Sequence, residues 1–429
     1  MATFLPSGTE LDGDRISQLP ADVKDMIMEC LDTRDAARVA VLSTQWKDIW
    51  LRHGRLVFDS CFFPRAIDRC RCNKPSTFVN MVANVLMLHS GPVRKFEFLM
   101  TRLYLENVET EMAVMDHWCK PKQSDVDGWC LFLSRNGIEQ LTICVVNLTG
   151  QGYYELPHCI ISCSTLKRLK LDGFLFYCPF NARLGSIFTH VTSLVFVTVG
   201  FIHNVNGSTI FSVPNLEELV FEDCQGIHNF VISAPKLKSL TVIFPGHIAE
   251  WKWFQLHFPV IKSLCLSLDA LADIPDAALD LHEMFPTAIN LQVMKLDDFS
   301  FGSAQHFSFA SDLIKKCPKL CKLEIVSNQS CWIDDGARLL EDPVDGGFII
   351  DHYLVMLKTV SIDSFFGYKR EVLFVKAILS KSPVLEKLVI LQFIEGDASV
   401  ACKLRKEMCC FPRASPKVHI AFRYCIMPH

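Results

Sequence analysis

The chain has 429 residues, of which 50% are hydrophobic and 21% are charged, and its formal net charge is −4. This length predicts two or three domains, and the apolar content provides for a large buried core and excludes wholesale disorder. The slightly acidic balance argues against a general nucleic-acid-binding protein, which would carry a basic stripe.

Nineteen cysteines raise the question of a disulfide framework. The number is odd, however, and residues 1–13 lack the apolar core of a signal peptide. We therefore expect free thiols and a soluble protein of the cytoplasm, the nucleus or both. The longest apolar runs, such as SLVFVTVGFI from Ser193, are too short to span a bilayer as a helix, so no membrane association is expected.

The first predicted helix follows a polar, glycine-punctuated segment, 1–13, that we expect to be a mobile tail. Pro20 favours a helix start. Val23, Ile27 and Leu31 come next at a spacing of four residues, so they share one face of that helix.

Two further short helices are predicted directly after the first. One covers about 35–42, and Ser43 or Thr44 caps another that carries Trp46 and Trp50. Three such short helices cannot bury this many large apolar side chains among themselves. The surplus must therefore pack on the rest of the chain or on a partner.

The same segment resembles an F-box. It has an LP pair, a D-x-x-R pair, a VLS run and a W-x-x-x-W pair, and it departs from the plant pattern at Thr44-Gln45, where basic residues are usual. The matching positions are Asp14, Arg15, Ile16, Leu19, Pro20, Ile27, Leu31, Asp35, Arg38, Val41, Leu42, Ser43, Trp46 and Trp50.

The resemblance implies that residues 14–55 bind a Skp-family adaptor, which links the module to a cullin. The alternative is that the three helices simply cap the neighbouring domain. The residues that the resemblance assigns to the adaptor are Leu19, Pro20, Ile27, Leu31, Val41 and Trp46.

A helical linker is expected over 56–89, and leucine-rich repeats over 90–350. The recurring pattern is L-x-x-L-x-L, whose copies begin 21 to 45 residues apart. Two further copies fall in the C-terminal stretch 351–429. The copies begin at Val93, Ile138, Leu166, Val191, Leu216, Leu237, Ile261, Leu291, Leu320, Leu357 and Leu385.

The pattern predicts an α/β fold, in which a short all-α N-terminal module precedes a solenoid of parallel strands on the concave face. Amphipathic helices are predicted at 126–135 and 370–381. Cys224 and Asn328 take the position that turns the chain out of the strand. An ordinary α/β domain is the alternative, but recurrence of one strand pattern favours the solenoid.

The C-terminal stretch sharpens the resemblance. Residues 356–390 resemble the FBD module of plant F-box proteins, and 411–422 resemble its closing strand. We therefore expect 351–429 to add the last two repeats and a cap that shields the final apolar edge. The matching positions include Phe366, Gly367, Glu371 and the run from Pro383 to Lys387.

Together these features resemble a plant-type F-box and leucine-rich-repeat protein. The resemblance implies a substrate-recognition subunit of an SCF-type ubiquitin ligase, which holds an unknown protein target for ubiquitination and proteasomal degradation. It implies no catalytic residue and no cofactor. The alternatives are a scaffold or decoy that assembles no productive ligase, and an enzyme within the solenoid.

Catalytic and metal motifs are not evident in the sequence. No G-x-x-x-x-G-K, G-x-S-x-G or H-E-x-x-H occurs, so phosphate cradles and familiar hydrolase sites are not expected. None of the cysteine and histidine clusters has the spacing of a structural zinc site, so no metal is expected. The clusters are Cys70 with Cys72, His117 with Cys119, and Cys409 with Cys410.

The target is expected to dock on the concave sheet at the central repeats, because the residues between the core positions face outward. An apolar floor with a polar rim is typical of an interaction site. Segment 103–125 is an alternative cover for this sheet, and the aromatic loop 251–254 is either a wall or packs on the convex side. The floor is Val195, Val197, Val220 and Ile243, and the rim is Arg168, Glu218 and Glu222.

Overall fold

The structure, a computed structural model, describes residues 16, 18–59, 62, 77–100, 121–145, 153–177, 186–202, 210–243, 257–268, 287–301, 303–327, 352–394 and 398–426. The chain divides into two compact units, Met1–Gly173 and Phe174–His429. Several predicted features lie outside the described residues. They are the tail 1–13, most of segment 103–125, loop 251–254, Asn328 and the candidate ligands Cys70, Cys72, His117 and Cys119.

Three short helices open the first unit, as the sequence predicts. Ser43 caps the third, because its Oγ accepts a hydrogen bond from the Trp46 N–H at 3.3 Å. The second begins earlier than predicted, because Asp32 caps it by accepting from the Asp35 N–H at 2.7 Å. The helices are α1 (Ala21–Cys30), α2 (Thr33–Val39) and α3 (Thr44–Trp50).

Parallel strands and three more helices follow in the described part of the first unit. The chain continues through β1 (Arg55–Phe58), α4 (Thr77–Leu88), β2 (Lys95–Met100), α5 (Gln123–Arg135), β3 (Gln140–Val145), β4 (Tyr154–Glu155), α6 (His158–Ile161) and β5 (Arg168–Asp172). Strands β1, β2, β3 and β5 pair in that order, all parallel.

Strand β1 is not predicted by the sequence pattern, which expects a helical linker over 56–89. The strand has only four residues and precedes the first complete L-x-x-L-x-L copy. Its Leu56 nevertheless lies in register with the buried Phe96 of β2, and both side chains are fully buried. The parallel sheet of this unit therefore begins directly after the helical module.

The second unit is built mainly of parallel strands. Strands β7, β10 and β12 to β18 form one sheet in chain order, while β6 pairs with β8 and β9 with β11. The strands are β6 (Phe174–Tyr177), β7 (Ser193–Val197), β8 (Gly200–Ile202), β9 (Phe211–Ser212), β10 (Glu218–Glu222), β11 (Ile232–Ser233), β12 (Ser239–Ile243), β13 (Ser263–Ser267), β14 (Val293–Phe299), β15 (Lys322–Ser327), β16 (Thr359–Phe365), β17 (Lys387–Ile394) and β18 (His419–Ile426).

The repeated apolar pattern forms the core of each unit. Every apolar position of the eleven predicted copies is buried, with at most 3% of the residue exposed. Strand register stacks equivalent positions, so that Leu194, Leu219 and Leu240 are direct neighbours. Burying one such side chain stabilises the fold by roughly 1.5–3 kcal/mol. The leucine-rich-repeat prediction is therefore confirmed at each of its copies.

Helices and aromatic rings fill the space beside the strands of the second unit. Rings of Phe196, Phe201 and Phe230 pack with centroids 5.0 to 5.7 Å apart. Of the three α-helices described in this unit, the sequence predicts only the one at 370–381. The helices are α7 (Ala304–Lys315), α8 (Lys369–Lys381) and α9 (Ala398–Cys409). None of the described helices is long and apolar enough to cross a membrane.

Candidate protein-interaction sites

The helical module of the first unit has a small core of its own. Helices α1 and α2 both pack against α3. Trp46 is 3% exposed, and the Lys24 ammonium lies 6.0 Å from the centroid of its indole ring. Trp46 therefore lies inside the module, although the sequence assigned it to adaptor contact. A partner that touched this indole directly would have to move the helices apart.

The departure from the plant F-box pattern at Thr44-Gln45 has a structural reason within the same core. The Lys24 Nζ donates a hydrogen bond to Gln45 Oε1 at 2.9 Å and is itself mostly buried. A basic side chain in place of Gln45 would bring a second positive charge to the buried ammonium. Gln45 instead supplies an acceptor that joins α1 to α3.

The outer side of the module carries a set of uncovered apolar side chains, which we call the F-box apolar surface. Val41 is 86% exposed and Leu42 75% exposed. On α1, Met26 and Ile27 follow Val23 at spacings of three and four residues, so the three side chains lie on one side of the helix. The surface comprises Ile16, Leu19, Pro20, Met26, Ile27, Leu31, Val41 and Leu42, all exposed or half-buried.

Most residues predicted to bind the adaptor thus belong to this surface. Met26, Ile16 and Leu42 also belong to it but are not among the predicted adaptor-binding residues, although Ile16 and Leu42 match the motif. Helical spacing could have predicted the position of Met26, because it follows Val23 by three residues and so shares its side of the helix. The motif includes Trp46 as well as the surface residues, and only the burial of its side chain in the structure distinguishes it from them.

The helical module is held against the first strands. The Val57 N–H of β1 donates to the Thr33 hydroxyl at 2.6 Å, and the Arg55 guanidinium donates to the Glu29 carbonyl at 3.1 Å. The Ser90 N–H, just before β2, donates to the carbonyl of Leu51 at 2.8 Å. These bonds fix the orientation of the F-box apolar surface relative to the sheet of the first unit.

The predicted target-binding floor lies on the sheet face of the second unit opposite the core. Val195 of β7 and Val220 of β10 are direct register neighbours and are both half-buried. In the next row, Glu222 lies between Val197 and Ile243. The apolar floor is therefore not continuous as predicted, because Glu222 interrupts it instead of forming its rim.

The predicted rim residues divide between the two compact units. Glu218 accepts a hydrogen bond from the Ser193 hydroxyl at 2.7 Å, so it borders the Val195–Val220 pair. Arg168 belongs to the first unit, where it is exposed on β5 beside Gln140. The apolar part of the candidate site in the second unit thus centres on two valines.

Farther along the same face, charged side chains replace the apolar ones. The Lys295 ammonium lies 2.7 Å from an Asp297 carboxylate oxygen, and that of Lys322 lies 2.5 Å from Glu324. Such partly exposed pairs contribute about 0–1 kcal/mol each to stability. These pairs make the face polar at β14 and β15.

The buried thiols among the described residues have the properties of packing groups. Cys224, at the predicted turn position, donates from Sγ to the carbonyl oxygens of Phe196 and Glu222, both at 3.3 Å. Burial raises the pKa of Cys144 to about 12 and that of Cys265 to about 11. Thiols with such pKa values stay protonated at neutral pH and are poor nucleophiles.

No metal site is found in the part of the chain that the structure describes, where no three His, Cys, Asp or Glu side chains are grouped to hold an ion. The two adjacent cysteines of the predicted cluster, Cys409 and Cys410, are exposed free thiols.

A buried carboxyl organises the residues that resemble the FBD module. Glu371 is fully buried in the first turn of α8 and accepts backbone N–H groups of Gly367 at 2.6 Å and Tyr368 at 2.9 Å. Burial raises its pKa to about 8, although these donors favour the charged form. Gly367 has φ +91°, and a Cβ there would clash with Leu404 of α9. These residues therefore set the start of α8 and its contact with α9.

Two family models match the chain. The F-box domain model matches residues 16–58, and the model described as "FBD-associated F-box protein At5g56370, LRR repeats" matches residues 126–294. The first match covers the three helices and β1. The second begins in α5 and ends in β14.

Curated proteins of Arabidopsis thaliana are similar to this chain. F-box/FBD/LRR-repeat protein At1g13570 is 26% identical, over 95% of this chain and 98% of its own length. F-box/LRR-repeat protein At2g42720 is 30% identical, over 58% of this chain and 50% of its own length. F-box/FBD/LRR-repeat protein At5g56420 is 27% identical, over 53% and 49% respectively.

Proposed function

We propose that this chain, which carries an F-box domain followed by FBD-associated leucine-rich repeats, is a substrate-recognition subunit of an SCF-type ubiquitin ligase. In this role the F-box binds a Skp-family adaptor, which connects it to a cullin. The repeats bind a target protein, which is then ubiquitinated and degraded.

The F-box apolar surface is the observation that supports the proposal best. Val41 and Leu42 are two of the most exposed large apolar residues described in the chain. Side chains of this kind cost free energy in water and are the anchors that partner proteins cover. A Skp-family adaptor is the partner that F-box domains generally bind, and it would cover them here.

The proposed contribution to catalysis is proximity. A receptor that holds a target near the ubiquitin carrier of the ligase raises the effective concentration of the target's amino groups there. The hydrogen bonds that Thr33 accepts from Val57 of β1 and that Leu51 accepts from Ser90 support this role, because they hold the F-box in one orientation on its unit.

The target is proposed to contact the sheet face of the second unit around Val195 and Val220. These two half-buried side chains lie side by side, and Glu218 and Glu222 lie next to them. A target segment with apolar and basic side chains would complement this face.

A scaffold or decoy that binds the adaptor without forming a productive ligase is the second candidate. The departure at Thr44-Gln45 favours testing it, because the plant F-box pattern usually has basic residues there. Reconstitution with adaptor, cullin and a ubiquitin carrier separates the two. Co-elution of all subunits with ubiquitin chain formation on a captured target supports the receptor, whereas adaptor binding without cullin recruitment supports the decoy.

A further inference from the structure

Strand β18 forms an open edge of the second unit's sheet in the described part of the chain, since it pairs only with β17. The His419 N–H donates to the Glu386 carbonyl at 2.9 Å and so points toward β17. Main-chain groups of a parallel strand alternate in direction, so those of Ile420, Phe422 and Tyr424 point away from β17. The edge therefore presents a row of main-chain donors and acceptors that another strand can use.

Among the described residues, the cap expected over 351–429 leaves the core at this edge only partly covered. In β17, Leu388 and Ile390 are fully buried. Their register partners in β18, Ile420 and Phe422, are only half-buried. A segment that paired with β18 would cover these two side chains and gain the free energy of removing them from water.

The edge strand of the first unit, β1, is shorter than β18, and its outward main-chain N–H has a partner. Strand β1 has four residues, and its outward-facing Val57 N–H is already bonded to the Thr33 hydroxyl. Strand β18 has eight residues, and among the described residues no partner is found for the outward N–H groups of Phe422 and Tyr424. Among the described residues, the chain itself thus protects the edge at β1, whereas the edge at β18 has no partner strand.

The surroundings of β18 are strongly basic. Residues 398–426 contain six lysines and arginines and one acidic residue, although the whole chain has more acidic than basic residues. Lys403, Lys406, Lys417 and Arg423 are exposed, and none of them has an ion pair among the described residues. Basic residues at an edge disfavour pairing with a second copy of the same strand, because like charges would meet. They favour an acidic partner instead.

We propose that the open edge of β18 is a docking site for an extended acidic segment of a partner protein, which adds to the sheet as one more strand. Its main chain bonds to the outward groups of Ile420, Phe422 and Tyr424. Its apolar side chains cover Ile420 and Phe422, and its carboxylates face Arg423 and Lys417. This site is separate from the F-box apolar surface and does not depend on the ligase role.

The test uses the 429-residue chain and a fluorescent eight-residue peptide of alternating glutamate and valine, with blocked ends. Fluorescence anisotropy measures its Kd beside that of a matched peptide of alternating lysine and valine. We expect the acidic peptide to bind at least about tenfold more tightly, with an affinity that falls as salt rises. Failure of the acidic peptide to bind at millimolar concentration, or equal binding of both peptides, would overturn the proposal.

Two variants of one position separate strand addition from simple charge attraction. Tyr424→Pro removes an outward N–H without breaking a bond to β17, and Tyr424→Ala removes the same side chain but keeps the N–H. We expect at least about fivefold weaker peptide binding for the proline variant than for the alanine variant. Equal affinities of the two would exclude pairing along this edge.

Charge reversal and oligomeric state complete the test. Arg423→Glu is expected to weaken the acidic peptide by about tenfold and to strengthen the basic one. Analytical sedimentation should give the unmodified chain and the Tyr424→Pro variant the same oligomeric state. A dimer that Tyr424→Pro dissociates would assign the edge to a second copy and overturn the proposal. Thermal unfolding of each variant checks that the fold is retained.

Discussion

The hydroxyl of Thr33 accepts a hydrogen bond from the backbone N–H of Val57 at 2.6 Å. Thr33 is the first residue of α2, and Val57 lies on the outward edge of β1. One bond therefore both satisfies an edge strand and ties the F-box to the first strand of the sheet. The three-helix module and the start of the parallel sheet are consequently joined within the first unit.

Replacing Thr33 with valine keeps the shape of the side chain but removes the acceptor. We expect the free energy of unfolding to fall by about 1–3 kcal/mol, because the Val57 N–H is left without a partner. Chemical denaturation measures it, with Thr44→Val on an exposed helix position as the control. Equal stability of the two variants would contradict the structural role of this bond.

Trp46 and Val41 should have opposite effects when they are truncated. Trp46→Ala is expected to cost about 3–5 kcal/mol of stability, because the indole is buried beside Lys24. Val41→Ala should leave stability nearly unchanged and weaken adaptor binding, because the side chain is exposed. Thermal unfolding and calorimetric titration with the adaptor measure both effects. A stable Trp46→Ala variant that loses adaptor binding would place the indole in the interface instead.

The proposed target-binding face can be tested by placing charges at Val195 and Val220. The double change Val195→Asp, Val220→Asp is expected to abolish target capture while adaptor binding is retained, because two carboxylates would replace the adjacent apolar pair. Val389→Asp, a half-buried valine on β17 in the equivalent row, is the matched control. If proximity labelling recovers the same targets with the double variant, the site lies elsewhere.

Glu371 gives the stability a specific pH dependence. Its pKa is raised from 4.5 to about 8 in the folded protein, so the unfolded chain releases this proton first. The contribution to stability is fully present below pH 4.5 and is lost as the pH rises through about 8. In Glu371→Gln this decline should disappear. The difference in unfolding free energy between the parent chain and the variant should therefore shift across that range, and a constant difference would refute the assignment.

The repeats are the part of the fold that the sequence predicts best. The L-x-x-L-x-L pattern recurs, and register places each copy on the previous one, so Leu219 falls beside Leu194. Aligning the copies also places Glu222 between Val197 and Ile243, so the sequence alone could have predicted that Glu222 interrupts the apolar floor. By contrast, β1 is too short for a periodic signal.

The F-box surface is only partly predictable for a different reason. The motif shows which residues recur but not which ones the chain covers itself. Trp46 is buried where α1 and α2 pack on α3, and its contact with Lys24 joins positions far apart in sequence. The open edge at β18 depends likewise on strand pairing and on the half-burial of Phe422, neither of which a local pattern carries.

The most direct test of the account is the affinity of the chain for a Skp-family adaptor, compared between the parent protein and the double variant Val41→Asp, Leu42→Asp. Met87→Asp is the control, since Met87 is an equally exposed apolar residue on α4, outside the F-box helices. The account predicts that the double variant loses about 2 kcal/mol or more of binding free energy, roughly thirtyfold in Kd, while the control binds like the parent. Unchanged affinity of the double variant would contradict it.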